Sequence, residues 1–453
     1  MTTRATRLKR LIGAVTVAAT VATVAACGSG DSGDAAADGT VTLEFAQWWG
    51  AELPAGDFDK IINDFTAQNP NIKIKLLSAP YASTKQQLVT AAASKTLPDV
   101  VGLDGAWVND FAKQGAIADM SKLMTDANYD SSQLASQIQL DGKTYMIPVV
   151  NFVYPLFVNK DLLTKAGVAD VPATRSEFLD AAKKISATGD NVKGWALPLD
   201  TAVPNGIQND VMSWLWASGG SMLTDGKPNL TSPQVKSTVE FVKSLNDAGV
   251  IAPGSLTMKE QDKVEKFTNG QVGMMIDSLA HINLIKKNKP DLNFEVAALP
   301  AEDGYTGKRG IPYASWGIGI SNSTKHKAEA FKFVSYLMSQ ETNAKLSTIA
   351  NGFPGNKNAE PDFSNSDPLF KSAFDIYKQG YPANEFVGLP KAEDLMRSFD
   401  EQLQLVLTGK QSVDDALSKS QESWTSVTPR PSDRGRAAPR VGTESRACCW
   451  VPV

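Results

Sequence analysis

Cysteine and histidine are scarce in this 453-residue sequence, and their scarcity excludes several kinds of chemistry. Cysteine occurs at Cys27 and then at Cys448 and Cys449, so the body between them offers no disulfide, thiol nucleophile or cysteine-based metal site. The two histidines, His281 and His326, lie in no recognisable motif and are expected at the surface. A zinc enzyme or a Ser-His-Asp triad would have to use one of them. The sequence therefore predicts a protein without catalytic residues, bound metal or cofactor.

Signatures of hydrolases and nucleotide-binding proteins are missing as well. No GxSxG segment occurs, and the loop at 304–309 fails as a phosphate loop because its glycines are too close and no Ser or Thr follows the lysine. Positive charge is in deficit, since the formal net charge is −4 and four of the basic residues are confined to the amino end. An acidic chain is poorly suited to bind nucleic acid or an anionic membrane surface.

The first 26 residues have the pattern of an export signal. Four basic residues open the chain, and Leu11–Ala26 is then uncharged and rich in Ala and Val. At 16 residues this segment is shorter than a membrane-spanning helix, which needs ~20. It ends at Val24-Ala25-Ala26-Cys27, which resembles the lipoprotein box of bacteria.

The lipoprotein resemblance implies a signal peptide at 1–26, a lipid anchor on Cys27 and a location on the extracytoplasmic face of the cell membrane. Residues 27–39 are rich in Gly, Ser, Asp and Ala, which favours a flexible linker. Ordinary cleavage after Ala26, with Cys27 incidental, is the alternative.

The carboxyl end departs from the composition of the rest of the chain. Residues 430–453 contain five arginines, no lysine and both remaining cysteines, whereas residues 27–429 contain three arginines and many lysines. No apolar periodicity is visible there, so residues 429–453 are predicted to be a disordered extension. The abrupt change suggests a shift of reading frame near Val427.

The amino-terminal half of the body alternates between strand and helix patterns. Val41–Phe45 alternates apolar and polar residues, and Phe58, Ile61, Ile62 and Phe65 then share one face of a helix. Strands are predicted again at Ile72–Leu76 and Val100–Leu103. This order predicts a parallel sheet flanked by helices, which binds ligands beyond the carboxyl ends of its strands. Those ends carry Gln47-Trp48-Trp49 and Asp104-Gly105.

Further along the chain, Tyr145–Val158 is nearly continuously apolar and is predicted to be one long strand that crosses from one lobe to the next. A last helix is predicted to begin at Ser412, with Leu417 and Trp424 on one face. Between them, helix patterns are found at Ser176–Ile185, Gln208–Ala217, Pro233–Ala248, Lys327–Met338 and Leu395–Leu407.

From about Val41 to Trp424 the sequence resembles the extracellular solute-binding proteins of ABC importers, of the maltose-binding type. The segments that carry the resemblance include Leu97–Val101, Asp141–Pro148, Phe157–Leu162, Trp214–Gly220, Phe267–Met275 and Trp316–Ile320. The family implies a type II periplasmic-binding-protein-like α/β fold, with two lobes that close on a ligand about a hinge. It assigns 40–150 plus 300–340 to lobe 1 and 151–299 plus 341–428 to lobe 2.

Tryptophan favours a sugar as the ligand, because sugar rings pack their C–H faces on aromatic rings while their hydroxyls need a few polar partners. Core packing is the alternative for each tryptophan. One of the adjacent Trp48 and Trp49 is expected to face the cleft, and Trp214 is preferred over Trp216 because the two cannot share a helical face. The predicted ligand-binding residues are Trp48, Asp104, Asn151, Trp214, Asp277 and Trp316, of which Asp277 could instead be a helix cap.

The sequence therefore predicts a non-enzymatic, monomeric carrier that delivers a small carbohydrate to the permease subunits of an ABC importer. Three alternatives stay open. The same fold could hold a betaine-like cation through an aromatic box, or a peptide. A lipid-anchored glycoside hydrolase would need a pair of flanking carboxylates, and no such pair can be singled out. A surface adhesin is disfavoured because the chain has no repeats.

Overall fold

A computed structural model of the chain describes residues 39–364 and 367–427. The predicted signal peptide, the lipid-attachment residue Cys27, the linker up to residue 38 and the carboxyl-terminal extension lie outside these residues. Within the described ranges, no helix combines the length and the apolar character that crossing a bilayer requires.

Strands and helices are numbered in chain order. The strands are β1 (Val41–Gln47), β2 (Ile72–Ser78), β3 (Val100–Leu103), β4 (Ile138–Leu140), β5 (Lys143–Val153), β6 (Leu156–Asn159), β7 (Lys193–Trp195), β8 (Leu223–Thr224), β9 (Lys227–Pro228), β10 (Val272–Ile276), β11 (Phe294–Ala297), β12 (Gly310–Ile320), β13 (Phe353–Pro354) and β14 (Tyr381–Ala383). The helices are α1 (Trp49–Glu52), α2 (Asp57–Gln68), α3 (Tyr81–Ser94), α4 (Val108–Lys113), α5 (Met120–Asp126), α6 (Lys160–Lys165), α7 (Arg175–Ser186), α8 (Met212–Ala217), α9 (Pro233–Asp247), α10 (Glu260–Thr268), α11 (His281–Asn288), α12 (Lys327–Leu337), α13 (Gln340–Ala350), α14 (Pro368–Gln379), α15 (Ala392–Leu407) and α16 (Val413–Val427).

Helix α2 illustrates how the local sequence forms an element and attaches it to a sheet. Its four apolar side chains at helical spacing, Phe58, Ile61, Ile62 and Phe65, are all buried, as the sequence predicts. Each contributes about 1.5–3 kcal/mol when fully buried, so this face holds the helix against its sheet. Two aspartates in the first turn complement the helix dipole, and the helix ends at Gln68 with Asn69 as its C-cap, directly before Pro70.

The first lobe is built on a sheet in the order β13-β5-β12-β3-β1-β2, to which β4 and β14 add at the side. β1 runs parallel to β2 and β3, which confirms the parallel arrangement predicted from the sequence. β12 returns between β3 and β5, antiparallel to both. β13 also pairs with β5, so the first sheet continues past residue 340, where the resemblance ended the first lobe.

The second lobe contains the sheet β11-β6-β10-β7. The predicted single strand from Tyr145 to Val158 is wrong in one respect, because β5 belongs to the first sheet and β6 to the second. The break falls at Tyr154-Pro155, where proline has no N–H to continue a strand ladder. The segment therefore does cross between the lobes, as predicted, but as two strands.

The predicted later helices correspond to α7, α8 with the π-helical turn Ile207–Val211 before it, α9, α12 and α15. α15 and α16 pack on α9 of the second lobe. Leu417 and Trp424 are both buried on α16, and the Ser412 hydroxyl accepts a hydrogen bond from the Asp415 N–H at 3.1 Å. The expected start and buried face of this last helix are confirmed.

Candidate ligand-binding cleft

A cavity of about 440 Å³ lies between residues of the two lobes. A narrower extension of about 30 Å³ reaches toward the first sheet and adds Asp104, Phe152 and Trp316 to the lining. The residues that line both parts are Trp48, Glu52, Tyr81, Asn205, Glu260 and His281. These two spaces, which share the six lining residues just named, are together called the cleft.

The first sheet brings Trp48 and Asp104 to the cleft. Trp48 directly follows β1 and Asp104 directly follows β3, and these neighbouring strands are parallel. Their carboxyl ends therefore meet at one edge of the sheet, where an open α/β sheet binds ligands. Both residues line the cleft, at the position that the strand order predicts.

The first lobe gives the cleft an aromatic wall, made of Trp48, Tyr81 and Trp316. The rings of Trp48 and Tyr81 meet at 90° with centroids 5.2 Å apart. Trp316 donates its indole N–H to Glu52 at 3.0 Å and stacks on Trp49 at 5.5 Å. Trp49 is fully buried behind it, so Trp48 is the member of the Trp48-Trp49 pair that faces the cleft.

Asp104 lies at the foot of the aromatic wall. Its Oδ1 accepts a hydrogen bond from the Ala106 N–H at 2.8 Å, and its Oδ2 accepts one from the Tyr81 hydroxyl at 3.2 Å. Burial raises the pKa of Asp104 to about 6, against the lowering effect of the Ala106 hydrogen bond. The carboxyl is thus held in a fixed orientation and is ionised at neutral pH.

The second lobe gives the cleft a polar wall, made of Asn205, Glu260 and His281. Asn205 donates from Nδ2 to Glu260 Oε2 at 3.0 Å. Burial raises the pKa of Glu260. Glu52 of the first lobe faces this wall, with its Oε1 at 3.8 Å from His281 Nε2, and burial raises the pKa of Glu52 to about 7.

Behind the polar wall lies a buried ion cluster, made of Asp210, Lys263 and Asp277. Lys263 donates to both carboxylate oxygens of Asp210, at 3.0 and 3.1 Å, and its Nζ lies 3.5 Å from Asp277 Oδ1. Burial alone would lower the pKa of Lys263, but the surrounding carboxylates raise it above its ordinary value. The Lys263 side chain is therefore a charged ammonium that holds two elements of the second lobe together.

His281 links the buried ion cluster to the cleft. Its Nδ1 lies 2.9 Å from Asp277 Oδ2. Burial would lower the pKa of His281, but Asp277, Glu52 and Glu260 raise it to about 10. Burial alone would raise the pKa of Asp277, but the positive charges of His281 and Lys263 lower that pKa below its ordinary value. His281 is therefore an imidazolium at neutral pH.

Glu260, Asp277 and His281 could be considered as metal ligands, since one donor atom from each lies within 4.8 Å of the others. Their contacts do not suit this role. A metal-binding histidine must offer a nitrogen lone pair, whereas His281 is protonated and hydrogen-bonded to Asp277. Lys263 adds a further positive charge 3.5 Å from Asp277, where it would repel a cation.

Three of the predicted ligand-binding residues lie elsewhere than expected. Trp214 is not among the described residues that line the cleft. Its ring packs in the core of the second lobe, with its centroid 4.8 Å from that of Phe178 and 4.9 Å from that of Phe241. The preference for Trp214 is therefore corrected: it faces inward because the apolar faces of α7 and α9 meet there. Asp277 is fully buried in the ion cluster, and is neither a cap nor part of the cleft lining described here.

Asn151 is also absent from the cleft lining in the described part of the chain, and acts one step behind it. Its Oδ1 accepts a hydrogen bond from the Ser315 hydroxyl at 2.7 Å, and Ser315 lines the cleft. Trp48, Asp104 and Trp316 are the predicted residues that the fold brings together at the cleft.

Among the residues that line both parts of the cleft, Glu52, Tyr81, Glu260 and His281 were not predicted from the sequence. His281 was expected at the surface, and that expectation is wrong, because its side chain is buried. One signal was available: Asp277 and His281 are four residues apart around the start of α11, a spacing at which side chains meet. The approach of Glu260 and Asn205 depends on the tertiary fold and has no local sequence signal.

Comparison with known proteins identifies several similar sequences and folds. The profile of a protein family described as bacterial extracellular solute-binding protein matches residues 51–344. A Brucella abortus protein described as a binding protein is 31% identical over 306 residues, which are 66% of this chain and 72% of that protein. The diacetylchitobiose binding protein of Streptomyces coelicolor is 27% identical over 310 residues, covering 66% of this chain and 69% of its own length.

The fold is similar to that of a solved receptor structure. The GacH receptor of Streptomyces glaucescens, solved unliganded and in complex with acarbose, matches with a TM-score of 0.72 and 22% sequence identity, covering 86% of this chain and 98% of that one. At this level of identity the likeness concerns the two-lobed α/β fold.

Proposed function

The chain belongs to the bacterial extracellular solute-binding protein family, and from this membership we propose that it captures a sugar or oligosaccharide in the cleft and delivers it to an ABC importer. The observation that carries the proposal is the aromatic wall beside fixed polar groups, in a cavity between two lobes. Trp48, Tyr81 and Trp316 offer ring surface there, and Asp104 offers an oriented carboxylate.

Sugar chemistry suits both kinds of group. The C–H faces of a pyranose ring pack against aromatic rings, and each buried hydroxyl then needs a hydrogen-bond partner. Asp104 has a donor on each oxygen already and retains further acceptor capacity for a hydroxyl. Asn205 of the polar wall presents an amide oxygen from the opposite lobe. A ligand that touches both lobes would stabilise their closed arrangement.

The experiment that tests this proposal is a thermal-shift screen of the purified mature body against mono- and oligosaccharides. A ligand present at 100 times its dissociation constant stabilises a protein by ~2.7 kcal/mol, which is readily visible as a shift in Tm. We expect at least one sugar to give such a shift. Stabilisation by peptides or by glycine betaine, with none by sugars, would contradict the proposal.

Binding without catalysis is part of the proposal, because the members of this family are substrate-binding carriers. The cleft carboxyls Glu52, Asp104 and Glu260 then serve as ligand contacts. Prolonged incubation with the bound sugar, followed by product analysis, is expected to return it intact. Hydrolysis products that disappear on mutation of one of these carboxyls would instead indicate a glycoside hydrolase.

The location and assembly of the protein are proposed from the sequence. The lipoprotein box supports export, cleavage after Ala26 and a lipid anchor on Cys27, where a monomeric carrier could reach the permease. Cys27→Ala is expected to abolish lipid labelling and to release the protein from the membrane fraction. Persistent labelling of the mutant protein would reject the anchor.

A further inference from the structure

Carboxyl groups outnumber cations in and behind the cleft. Glu52, Asp104 and Glu260 line it, and Asp210 and Asp277 lie buried behind it. The buried cations that face these carboxyls from the described elements are Lys263 and His281. Burial raises the pKa values of Glu52, Asp104, Asp210 and Glu260, so these carboxyls are poorly compensated as anions, and a cation that entered the cleft would stabilise their ionised forms.

The groups at the rim do not offset this surplus. Lys259 and Glu265 line the outer part of the cleft with opposite charges, and the Nζ of Lys259 lies 4.0 Å from Asp200. Both side chains are exposed, so water and salt screen their charges. The charged groups that a ligand meets inside the cleft are therefore Glu52, Asp104, Glu260 and His281.

A second observation points to a ligand at the polar wall. Asn205 is 5% exposed and lines both parts of the cleft, and its Oδ1 receives no hydrogen bond from any described residue. The Oε2 of Glu260 accepts the hydrogen bond from Asn205. The Oε1 of Glu260, like the Oδ1 of Asn205, receives no hydrogen bond from any described residue. Buried acceptors without donors are costly, and a ligand that brings N–H or O–H groups would remove that cost.

We infer that the ligand of this cleft is a sugar that carries a protonated amine, with its ammonium group bound at Glu260 and Asn205 and facing Glu52. The inference rests on the proposed function and specifies the class of sugar. A neutral hydroxyl could satisfy the two acceptors but would bring no positive charge to the carboxyls around them. An ammonium group satisfies both requirements, since it has several N–H donors and a positive charge.

Two other cations fit less well. A quaternary ammonium such as betaine has no N–H, so it would leave Asn205 Oδ1 and Glu260 Oε1 without donors. A divalent metal ion would need His281 and Asp277 as ligands, and these already pair with each other and with Lys263, whereas an ammonium group at Glu260 and Asn205 needs neither of them. The geometry therefore favours a primary or secondary amine on a sugar ring.

The test is calorimetric titration of the mature protein with paired sugars, each neutral sugar being matched with its amino counterpart. The probes are glucose with glucosamine, galactose with galactosamine, and cellobiose with the β-1,4-linked glucosamine dimer and its diacetylated form. We expect an amino sugar to bind about tenfold or more tightly than its neutral and acetylated counterparts, because charge-assisted hydrogen bonds are the stronger ones. Glycine betaine, Ca²⁺ and Mn²⁺ are titrated as competing cations.

Two variants test the assigned atoms. Glu260→Gln keeps the shape and removes the charge, and is expected to lower amino-sugar affinity about tenfold while changing neutral-sugar affinity far less. Glu52→Gln provides the same test if the first variant does not fold, as judged by its thermal midpoint. Glu240→Gln is the matched control, since Glu240 is an exposed residue of α9 outside the cleft lining.

The outcomes separate this inference from the proposed function. Neutral sugars that bind as tightly as amino sugars, or an amino-sugar preference that survives both variants, would overturn the inference and leave the sugar carrier intact. Tighter binding of glycine betaine or a metal ion would also overturn it. If no sugar of either kind binds, the proposed function fails as well.

Discussion

The two walls of the cleft differ in chemistry and in how they are held. The aromatic wall of the first lobe consists of rings that pack on one another and on Trp49, so it is an extension of the hydrophobic core. The polar wall of the second lobe is held by hydrogen bonds and by ion pairs to a buried cluster. The comparison shows that apolar packing positions the aromatic wall, whereas hydrogen bonds and ion pairs position the polar wall.

A pair of tryptophan variants gives the largest expected effect and tests whether ring position decides function. Trp214→Ala should lower the free energy of unfolding by about 3–5 kcal/mol, because its ring fills the core of the second lobe. What remains folded should bind sugar normally. Trp48→Ala should lower sugar affinity as well as stability, because this ring both packs in the core and lines the cleft. Urea denaturation and calorimetry measure the two quantities, and normal affinity in Trp48→Ala would contradict the assigned wall.

Asp104→Asn sharpens the comparison within the aromatic wall. The amide retains the shape but loses the charge and one acceptor, so a buried sugar hydroxyl loses part of its hydrogen bonding, at a cost of ~1–3 kcal/mol in binding free energy. The ligand-free stability should change less. Calorimetry with the sugar found in the screen measures the effect. An unchanged affinity would remove Asp104 from the binding site.

The pH dependence of ligand-free stability separates the walls by their titrating groups. The pKa values of Glu52 and Asp104 are raised to about 7 and about 6, so their protonated forms stabilise the fold below the ordinary values of 4.5 and 3.8, and this stability is lost as pH rises through 7. The raised pKa of His281, about 10, contributes stability that is complete below 6.5 and lost as pH rises through 10. We expect a decline on the order of 1–3 kcal/mol between pH 5 and 8.

Chemical denaturation across pH 5 to 10 measures this decline. Glu52→Gln should make the decline between pH 5 and 8 shallower, with the remainder due to Asp104, Asp210 and Asp400, whose pKa values are also raised. His281→Gln should make the decline between pH 6.5 and 10 shallower. The exposed-site variant Glu240→Gln should keep the wild-type profile. A wild-type stability that rises from pH 5 to 8 would contradict the described environment of Glu52.

The smallest effect is expected from a change in neither wall. Deletion of residues 430–453 should leave the unfolding midpoint and the sugar affinity almost unchanged, because this segment has no apolar periodicity with which to pack. Thermal unfolding and calorimetry of the shortened chain measure both. A marked loss of either would show that the extension contributes to the fold or to the cleft.

Much of the aromatic wall could be predicted from the sequence, and little of the polar wall could. Trp48 and Asp104 follow recognisable strands, and a parallel sheet brings the ends of neighbouring strands together. Asn205, Glu260 and His281 come from separate segments of the second lobe that meet only through its packing. Residue type alone could not distinguish a cleft tryptophan from a core tryptophan, since Trp214 has the same ring as Trp48 but lies in the core of the second lobe.

Local periodicity was sufficient to predict β1, α2 and β2, and the apolar run Tyr145–Val158 indicated a crossing between the lobes but not its division into two strands. Family resemblance added the return of the chain to the first sheet. The tertiary structure alone decided which rings face the cleft and which carboxyls are buried beside Lys263 and His281. The physical reason is that helix and strand patterns depend on residues close together in the chain. Burial and electrostatic pairing depend instead on distant residues, such as Glu52, Asn205, Glu260 and His281, that meet only after folding.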